Sequence, residues 1–207
     1  IRGKTTSIMY LLSTVPQDVT DKLNEVIKAK NLEPANHNLA GNIKNEFMIP
    51  EGKEFVYPLI FALIDKHKEK YPLYFKRICG FANKKEIALQ LQSLWVNFQT
   101  KHEFNPMHVH EGLFSFVIWH KIPYKMEDEI ARYPLMKPDQ VKAGHFSFFQ
   151  QNEMGRVQSI DLPVDNSWEG KLALFPADLP HEVYPFFTSD DVRITISGNI
   201  GFPANTG

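Results

Sequence analysis

Two histidines separated by one residue, His108 and His110, lie within the segment 105–112. Side chains two positions apart on an extended segment point to the same face, because side-chain direction in a strand repeats every two residues. The two imidazoles could therefore bind one metal ion together. A third ligand is needed, and the best downstream candidate is His181, in the segment 174–181. The sequence thus predicts a metal site built from three histidines.

Arg193 begins a strand-like run, 193–200, in which isoleucines alternate with polar residues. Several polar side chains on one strand face are costly inside a barrel unless they meet a polar ligand. An arginine can bind a carboxylate through two parallel hydrogen bonds, so the run predicts a site for a dicarboxylate, with its other end on the metal. A structural salt bridge to Asp190 or Asp191 is the alternative role for Arg193. The polar residues that share its face are Thr195, Ser197 and Asn199.

Two other residues are candidates for the same region. Asn97 lies on the polar end of one face of the run 89–99. It could contact the dicarboxylate or bond only to the backbone. Tyr124 follows a strand that Pro123 ends, and it is a candidate for the mouth through which substrate enters. The charged segment 125–142 contains two prolines and is predicted to be an exposed loop or a lid.

The elements that must position these residues change in character along the chain. The first part predicts a short strand at 8–12, a helix capped by Asp18 or Thr20, a loop over 33–53, and a helix from 54 to about 70 that Pro72 stops. Helices followed by many short strands indicate a mainly β fold with helical cover, a sandwich or a barrel. We expect one domain over 1–207. The strands are predicted at 89–99, 113–122, 145–150, 156–162, 171–175, 182–187 and 193–200.

Composition excludes several classes of function. The 207 residues carry a net charge of −1 and a pI near 6.8, so a phosphate-tracking surface is not expected and nucleic acid is a less favoured partner. The single cysteine, Cys79, rules out an intrachain disulfide and suits a reducing cytoplasm. No apolar run approaches the roughly 20 residues of a membrane span, so no membrane partner is expected. The oligomeric state is left open.

The sequence resembles the Fe(II)/2-oxoglutarate-dependent oxygenases, particularly a compact branch often encoded by bacteriophages. The resemblance covers about residues 88–201, with a weaker echo at 39–42, and is carried by the segments 94–97, 105–112, 115–119, 122–124, 174–176, 181–186 and 193–199, together with Gly170. It implies a double-stranded β-helix, a cupin-like jelly roll, over about 88–201, against which residues 1–80 would pack. It also implies that the cofactors are Fe(II), 2-oxoglutarate and O2. By resemblance His108 and His181 are the proximal and distal histidine ligands, and Arg193 binds the carboxylate of 2-oxoglutarate.

The sequence departs from this superfamily at one ligand. His110 stands where the superfamily usually has Asp or Glu, so the site would hold three histidines and no carboxylate. The dianion of 2-oxoglutarate would then itself neutralise the charge of Fe(II). Glu111 is adjacent, but its side chain would point away if the segment is extended.

The resemblance implies that oxidative decarboxylation of 2-oxoglutarate to succinate and CO2 is coupled to C–H oxidation, as in a hydroxylase, of a small-molecule or peptidyl substrate. One alternative is a cupin-like three-histidine dioxygenase that uses no 2-oxoglutarate, in which Arg193 would bind a substrate carboxylate. Another is a non-catalytic jelly-roll binding protein whose histidines are incidental.

Overall fold

The structure is a computed structural model, and it describes residues 9–29, 32–36, 39–81, 88–152 and 154–203. Within these ranges the chain forms mainly antiparallel strands with a few helices. The helices are α1 (Gln17–Ile27), α2 (Lys53–Lys70), α3 (Pro72–Phe81) and α4 (Met126–Ala131). The strands are β1 (Leu11–Thr14), β2 (Glu33–Pro34), β3 (Asn45–Met48), β4 (Gln90–Gln99), β5 (Asn105–His108), β6 (Phe114–Lys121), β7 (Phe146–Gln151), β8 (Val157–Leu162), β9 (Lys171–Pro176), β10 (His181–Val183) and β11 (Arg193–Gly201).

The strands form two sheets. The larger, here the major sheet, has seven strands in the order β1-β9-β6-β11-β4-β3-β2. The smaller, the minor sheet, has four strands in the order β5-β10-β7-β8. Most neighbouring strands, such as β6, β11 and β4, are not consecutive in sequence, as in a jelly roll, in which the chain alternates between two facing sheets. The predicted mainly β fold with helical cover is confirmed.

The two faces of the major sheet are buried against different partners. On the outer face, residues such as Val96, Phe116 and Ile196 join a core cluster with side chains of α1 and α2. On the inner face, Trp119 and Phe175 pack with residues of the minor sheet in a second cluster. Each of these buried side chains contributes about 1.5–3 kcal/mol through removal from water. Burial on both faces explains why β4 lacks a simple alternation of apolar and polar residues.

The inner face becomes polar where β4 and β11 lie side by side. The register of these strands pairs Arg193 with Gln99 and Thr195 with Asn97. Directly paired residues of an antiparallel sheet point to the same side. The sheet pairing therefore gathers four polar side chains at one end of the space between the sheets.

Two predictions for the N-terminal half were wrong. The segment 33–53 is not a continuous loop, since it contains β2 and β3, which extend the edge of the major sheet beside β4. The helix α1 starts after Pro16 with no side-chain cap, and the Thr20 hydroxyl donates instead to the Pro16 carbonyl oxygen, 3.3 Å away. Strands of two and four residues are too short to show a period, and a proline can itself begin a helix by fixing φ.

Three element boundaries differ from expectation. The strand predicted at 8–12 is observed at Leu11–Thr14, and Ile8 lies outside the described residues. Pro72 separates α2 from a following helix, because proline is well tolerated in a first helical turn. The strand predicted at 182–187 is shorter and includes His181.

The segment 125–142 is more ordered than a plain exposed loop, because it contains α4. The fully buried Glu129 carboxylate of this helix accepts hydrogen bonds from the backbone N–H groups of Phe187 and Thr188. These bonds attach the segment to the chain just after β10. No helix in the described ranges has both the length and the apolar character needed to cross a membrane.

Candidate active site

The structure brings His108, His110 and His181 together. One potential ligand atom from each lies within 4.8 Å of the other two, and among the described residues this is a cluster of histidines only, without Glu111. His108 ends β5 and pairs directly with His181 at the start of β10. His110 follows the strand, but its backbone N–H still donates to the carbonyl oxygen of Ala177, 2.9 Å away. Backbone pairing between the segment that carries His108 and His110 and the segment that carries His181 therefore fixes the positions of the three imidazoles.

Hydrogen bonds to the backbone orient two of the rings. The Nδ1 atoms of His108 and His181 lie 2.7 Å and 2.9 Å from the carbonyl oxygens of Pro106 and Leu179. A carbonyl only accepts, so each Nδ1 must carry the proton, which leaves the Nε2 lone pair for a ligand. This arrangement is typical of metal-binding histidines.

The spacing of the rings suits one shared ion. The Nε2 atoms of His110 and His181 are 3.1 Å apart. Nitrogens about 2.0–2.1 Å from one ion, at about a right angle to each other, lie about 3 Å apart. Burial also lowers the pKa of His108, lowers that of His110 to about 4, and brings that of His181 well below its usual value. The three imidazoles are therefore neutral at pH 7, the form in which they bind metals.

Arg193 is buried, with 2 % of its surface exposed. Its Nε donates to Gln99 Oε1 at 3.0 Å, its Nη2 to the Tyr184 carbonyl oxygen at 3.1 Å, and its Nη1 to the Tyr124 hydroxyl at 2.7 Å. All three acceptors are neutral. A buried cation without a carboxylate partner is expensive, and none of the carboxylates in the described ranges forms an ion pair with this guanidinium.

The predicted alternative, a salt bridge from Arg193 to Asp190 or Asp191, does not form. Asp190 pairs with Lys101, and Asp191 lies 3.5 Å from Lys121. The ion pairs found within the described ranges do not include Arg193. Its positive charge therefore remains available to a ligand.

Tyr124 lies at the Arg193 end of the site and not at an opening. Its side chain is 4 % exposed, and its hydroxyl donates to the Gly144 carbonyl oxygen, 3.1 Å away, while accepting from Arg193. Burial raises the pKa of Tyr124, so the phenol keeps the proton that it donates. This position does not suit the predicted substrate mouth. It makes Tyr124 a support that fixes the guanidinium.

Three of the four remaining predicted residues line the space between Arg193 and the histidines. Thr195 and Ser197 lie on the same pocket wall as Arg193. Asn97 Nδ2 donates to Thr195 Oγ1 at 3.1 Å, and its buried Oδ1 has no partner. Asn199 lies further along, where it accepts a hydrogen bond of 2.8 Å from Ser115. Of the predicted co-substrate residues, Asn199 is thus the one outside this pocket.

Two spaces adjoin the histidine cluster. The first, the inner pocket, lies between the sheets and extends from His108, His110 and His181 to Arg193. The second, the outer cavity, has a volume of about 280 Å³ and is bounded by Leu39, Ala40, Glu46, Glu111 and Asn199 among others. Trp95, Asn105, His108 and His110 line both spaces. An ion held by the histidines would therefore be accessible from either side.

Three residues of these spaces were not predicted from the sequence. Gln99 was assigned no role from the sequence, and the structure shows that it accepts a hydrogen bond from Arg193 and so helps to hold it. Glu46 and Asn105 line the outer cavity. Asn105 lies in the segment 105–112, whose paired histidines already indicated a site in this region. Nothing in the four-residue strand β3 distinguishes Glu46 from a surface glutamate.

The comparison with family models decides which proteins these features belong to. Residues 93–199 match the model of the family described as "Putative 2OG-Fe(II) oxygenase". The chain belongs to this family. It is accordingly a 2-oxoglutarate-dependent oxygenase, an oxidoreductase whose cofactors are Fe(II), 2-oxoglutarate and O2. The two alternatives, a dioxygenase that does not use 2-oxoglutarate and a non-catalytic binding protein, are set aside by this membership.

Solved structures show the same fold at low sequence identity. A prolyl-4-hydroxylase from Pseudomonas putida is 15% identical, with a TM-score of 0.51 over 96% of this chain and 95% of that one. The viral collagen prolyl hydroxylase of Paramecium bursaria Chlorella virus-1 is 12% identical, with a TM-score of 0.53 over 96% of each chain. HygX from Streptomyces hygroscopicus, solved with nickel and 2-oxoglutarate, is 9% identical, with a TM-score of 0.54 over 95% of this chain and 84% of that one. Among curated protein sequences, none matches this chain.

The side chains present fit the cofactors of the family. Neutral imidazoles suit Fe(II) among several divalent metals, and the three rings converge without a competing side chain in the cluster. The buried Arg193, whose described hydrogen-bond partners are all neutral, suits the carboxylate of 2-oxoglutarate that is remote from the metal. At the position of the usual carboxylate ligand, His110 brings a third neutral imidazole to the cluster.

Proposed function

We propose that this protein is a hydroxylase that couples oxidative decarboxylation of 2-oxoglutarate, to succinate and CO2, with oxidation of a substrate C–H bond. In the proposal His108, His110 and His181 hold Fe(II), and the inner pocket holds 2-oxoglutarate. When bound, the iron and 2-oxoglutarate supply the oxidising chemistry through O2. The protein contributes binding, orientation and exclusion of water.

The observation that carries the proposal is the pairing, across one pocket, of three convergent imidazoles with a buried guanidinium that has only neutral partners. Arg193 would bind the distal carboxylate of 2-oxoglutarate, and Thr195 would add a hydroxyl donor. Ser197 and Asn97 line the pocket between Arg193 and the histidines and would lie beside the middle of the molecule. Asn199, beyond the histidines, would contribute to the outer cavity instead.

Tyr124 and Gln99 have positioning roles in this proposal. They bond different nitrogens of Arg193, so the guanidinium is held in one orientation before the ligand arrives. Such preorganisation reduces the entropy lost on binding. Similarity in fold to two prolyl hydroxylases supports hydroxylation as the reaction.

An anaerobic titration tests the proposal. Metal-free protein receives Fe(II) and then 2-oxoglutarate, and the visible charge-transfer band of the iron chelate is followed. We expect the band to saturate at one equivalent and succinate to form when O2 is admitted. Glutarate, which lacks the 2-oxo group, is the matched control and should give no band. Fe(II) binding without a band on addition of 2-oxoglutarate would show that the inner pocket does not hold the co-substrate in this way.

A further inference from the structure

Glu46 is a buried carboxylate at the wall of the outer cavity. It is 2 % exposed and lies on β3, where it pairs directly with Asn97 of β4. Paired residues share a face of the sheet, so the side chain of Glu46 points inward, towards the space beside the histidines. This orientation places a carboxylate within the site but outside the metal cluster.

The hydrogen bonds of Glu46 are incomplete. Its Oε1 is buried and has no partner, and its Oε2 has one long contact, 3.4 Å, with Asn36 Nδ2. An ionised carboxylate can accept about four hydrogen bonds, and buried polar groups are nearly always paired. The missing donors are most simply supplied by a ligand that occupies the cavity.

The surroundings of Glu46 are negative. Burial, and to a smaller extent the nearby charge of Glu103, raises the pKa of the Glu46 carboxyl to about 7. Glu111 lies at the same cavity, and among the described residues that line it there is no lysine or arginine. A cavity with two carboxylates and no cation favours a positively charged occupant over an anion.

Apolar and aromatic residues line part of the wall, beside the polar Asn105 and Asn199. Leu39 and Ala40 line one side, and Trp95 lines the boundary with the inner pocket, its ring 5.7 Å from that of His110. An indole ring can bind a cation through its face, and aliphatic walls suit a methylene stem. The cavity volume of about 280 Å³ is near the lower end of ligand pockets, about 300–1,000 Å³. It suits one extended side chain.

We propose that the outer cavity binds the substrate by a positively charged nitrogen on an aliphatic stem, as in a lysine or arginine side chain, with Glu46 as its carboxylate partner. The inference rests on the proposed function, because the cavity adjoins the iron site through His108 and His110. In this arrangement the cationic end lies against Glu46, and the stem passes the histidines, so that its carbons are the ones presented for oxidation. The substrate class is therefore a basic amino acid, free or within a peptide.

Binding of capped amino acids tests this inference. Protein loaded anaerobically with Fe(II) and 2-oxoglutarate is titrated by calorimetry at pH 8 with N-acetyl-lysine methylamide, its arginine counterpart, and the norleucine counterpart, which has a neutral side chain. We expect at least one cationic probe to bind about tenfold or more tightly than the neutral probe. Glu46→Gln, which keeps the shape of the side chain, should remove that preference and leave the chelate band unchanged.

Glu111→Gln is the matched control, since it removes one negative charge from the same cavity at an exposed position. We expect it to weaken the cationic probe by less than about threefold, because exposed charges are screened. Equal binding of cationic and neutral probes, or no binding of the cationic ones, overturns the inference, as does an equal effect of the two variants. If the chelate band does not form in the wild type, the proposed function and the inference both fail. If the band forms but no cationic probe binds, only the inference fails.

Discussion

The inner pocket and the outer cavity share the wall formed by His108 and His110, yet their charges are opposite. The inner pocket contains the buried cation Arg193, and no Asp or Glu is among its described lining residues. The outer cavity contains Glu46 and Glu111 and has no described lysine or arginine on its wall. Each space therefore has an unbalanced charge of its own sign, on either side of the neutral histidines.

This difference in charge indicates how one site could direct two different ligands to separate spaces. A dicarboxylate that entered the outer cavity would meet Glu46 and be repelled, whereas a cation in the inner pocket would meet Arg193. The charge of each space thus repels the ligand of the other space as well as attracting its own ligand. The comparison depends on three groups, the histidine wall, Arg193 and Glu46, and each can be changed separately.

Loss of a histidine from the shared wall should have the largest effect, because it should reduce both metal affinity and turnover. His108→Ala deletes one of the three proposed ligands and should lower metal affinity by more than about 100-fold, the upper range for loss of a residue that only supports a ligand. Turnover should fall with it. Metal content by elemental analysis and succinate formation on the same samples are the measurements. His120→Ala is the matched control, since His120 bonds Asn24, 2.8 Å away, and lies outside the cluster. Full metal content in His108→Ala would contradict the ligand assignment.

Changing the charge of the wall should have the next largest effect. His110→Asp restores the usual ligand of the superfamily, but aspartate is shorter than histidine and adds a negative charge beside a dianionic co-substrate. We expect some metal to be retained and turnover to fall about a hundredfold, the cost of a misplacement near 1 Å. Succinate formed per bound metal is the measurement. Activity equal to wild type would show that the neutral third imidazole has no special part in balancing the charges of the two spaces.

Removing the charge of the inner pocket should weaken one ligand only. A bidentate, charge-assisted pair is worth roughly 1.5–3 kcal/mol, so Arg193→Ala should lower the affinity for 2-oxoglutarate by about tenfold or more. Binding of Fe(II) should be unaffected, since Arg193 is not in the histidine cluster. The anaerobic titration measures both. Gln99→Ala, which removes a partner of Arg193 but no charge, should have a smaller effect on the same affinity. Unchanged affinity in Arg193→Ala would refute the assignment of the inner pocket.

Most of the inner pocket could be predicted from the sequence. Its residues stand on long strands, where a period of two is enough to assign Thr195 and Ser197 to the face of Arg193. The prediction that His108 and His110 share a face followed from the same period. β5 ends at His108, but the backbone hydrogen bond of His110 to Ala177 keeps the His110 side chain pointing to that face. The partners of Arg193 could not be predicted, because they depend on which strands lie next to one another.

The outer cavity could not be predicted. Although Trp95 and Asn199 stand on the long strands β4 and β11, much of the wall comes from 39–40, β3 and 109–111, which are too short or irregular to show a clear period. Gly41, whose φ is +148°, illustrates the difficulty, because a Cβ atom at this position would overlap Asn105 Oδ1. The glycine thus lets the 39–42 segment approach the histidine segment closely. Such contacts between distant segments are set by tertiary structure, which local pattern does not encode.

Removing the charge of the outer cavity should have the smallest effect on binding of iron and 2-oxoglutarate, and its effect on stability depends on pH. Burial raises the pKa of Glu46 from 4.5 to about 7. Below pH 4.5 the carboxyl is protonated in both folded and unfolded chains, so it carries no penalty. Between pH 4.5 and 7 the unfolded chain ionises first, and the folded state loses stability until the native carboxyl also ionises. Glu46→Gln cannot ionise, so its stability relative to wild type should be greater at pH 8 than at pH 4, by at most about 3 kcal/mol for this pKa shift. The incompletely paired amide lowers the stability of the variant by the same amount at both pH values. Urea unfolding of metal-free wild type and variant at both pH values measures the difference, and the other titrating groups cancel because both proteins share them. A difference that does not change with pH would mean that the Glu46 carboxylate is solvated, and the contrast between the two spaces would then rest on Arg193 alone.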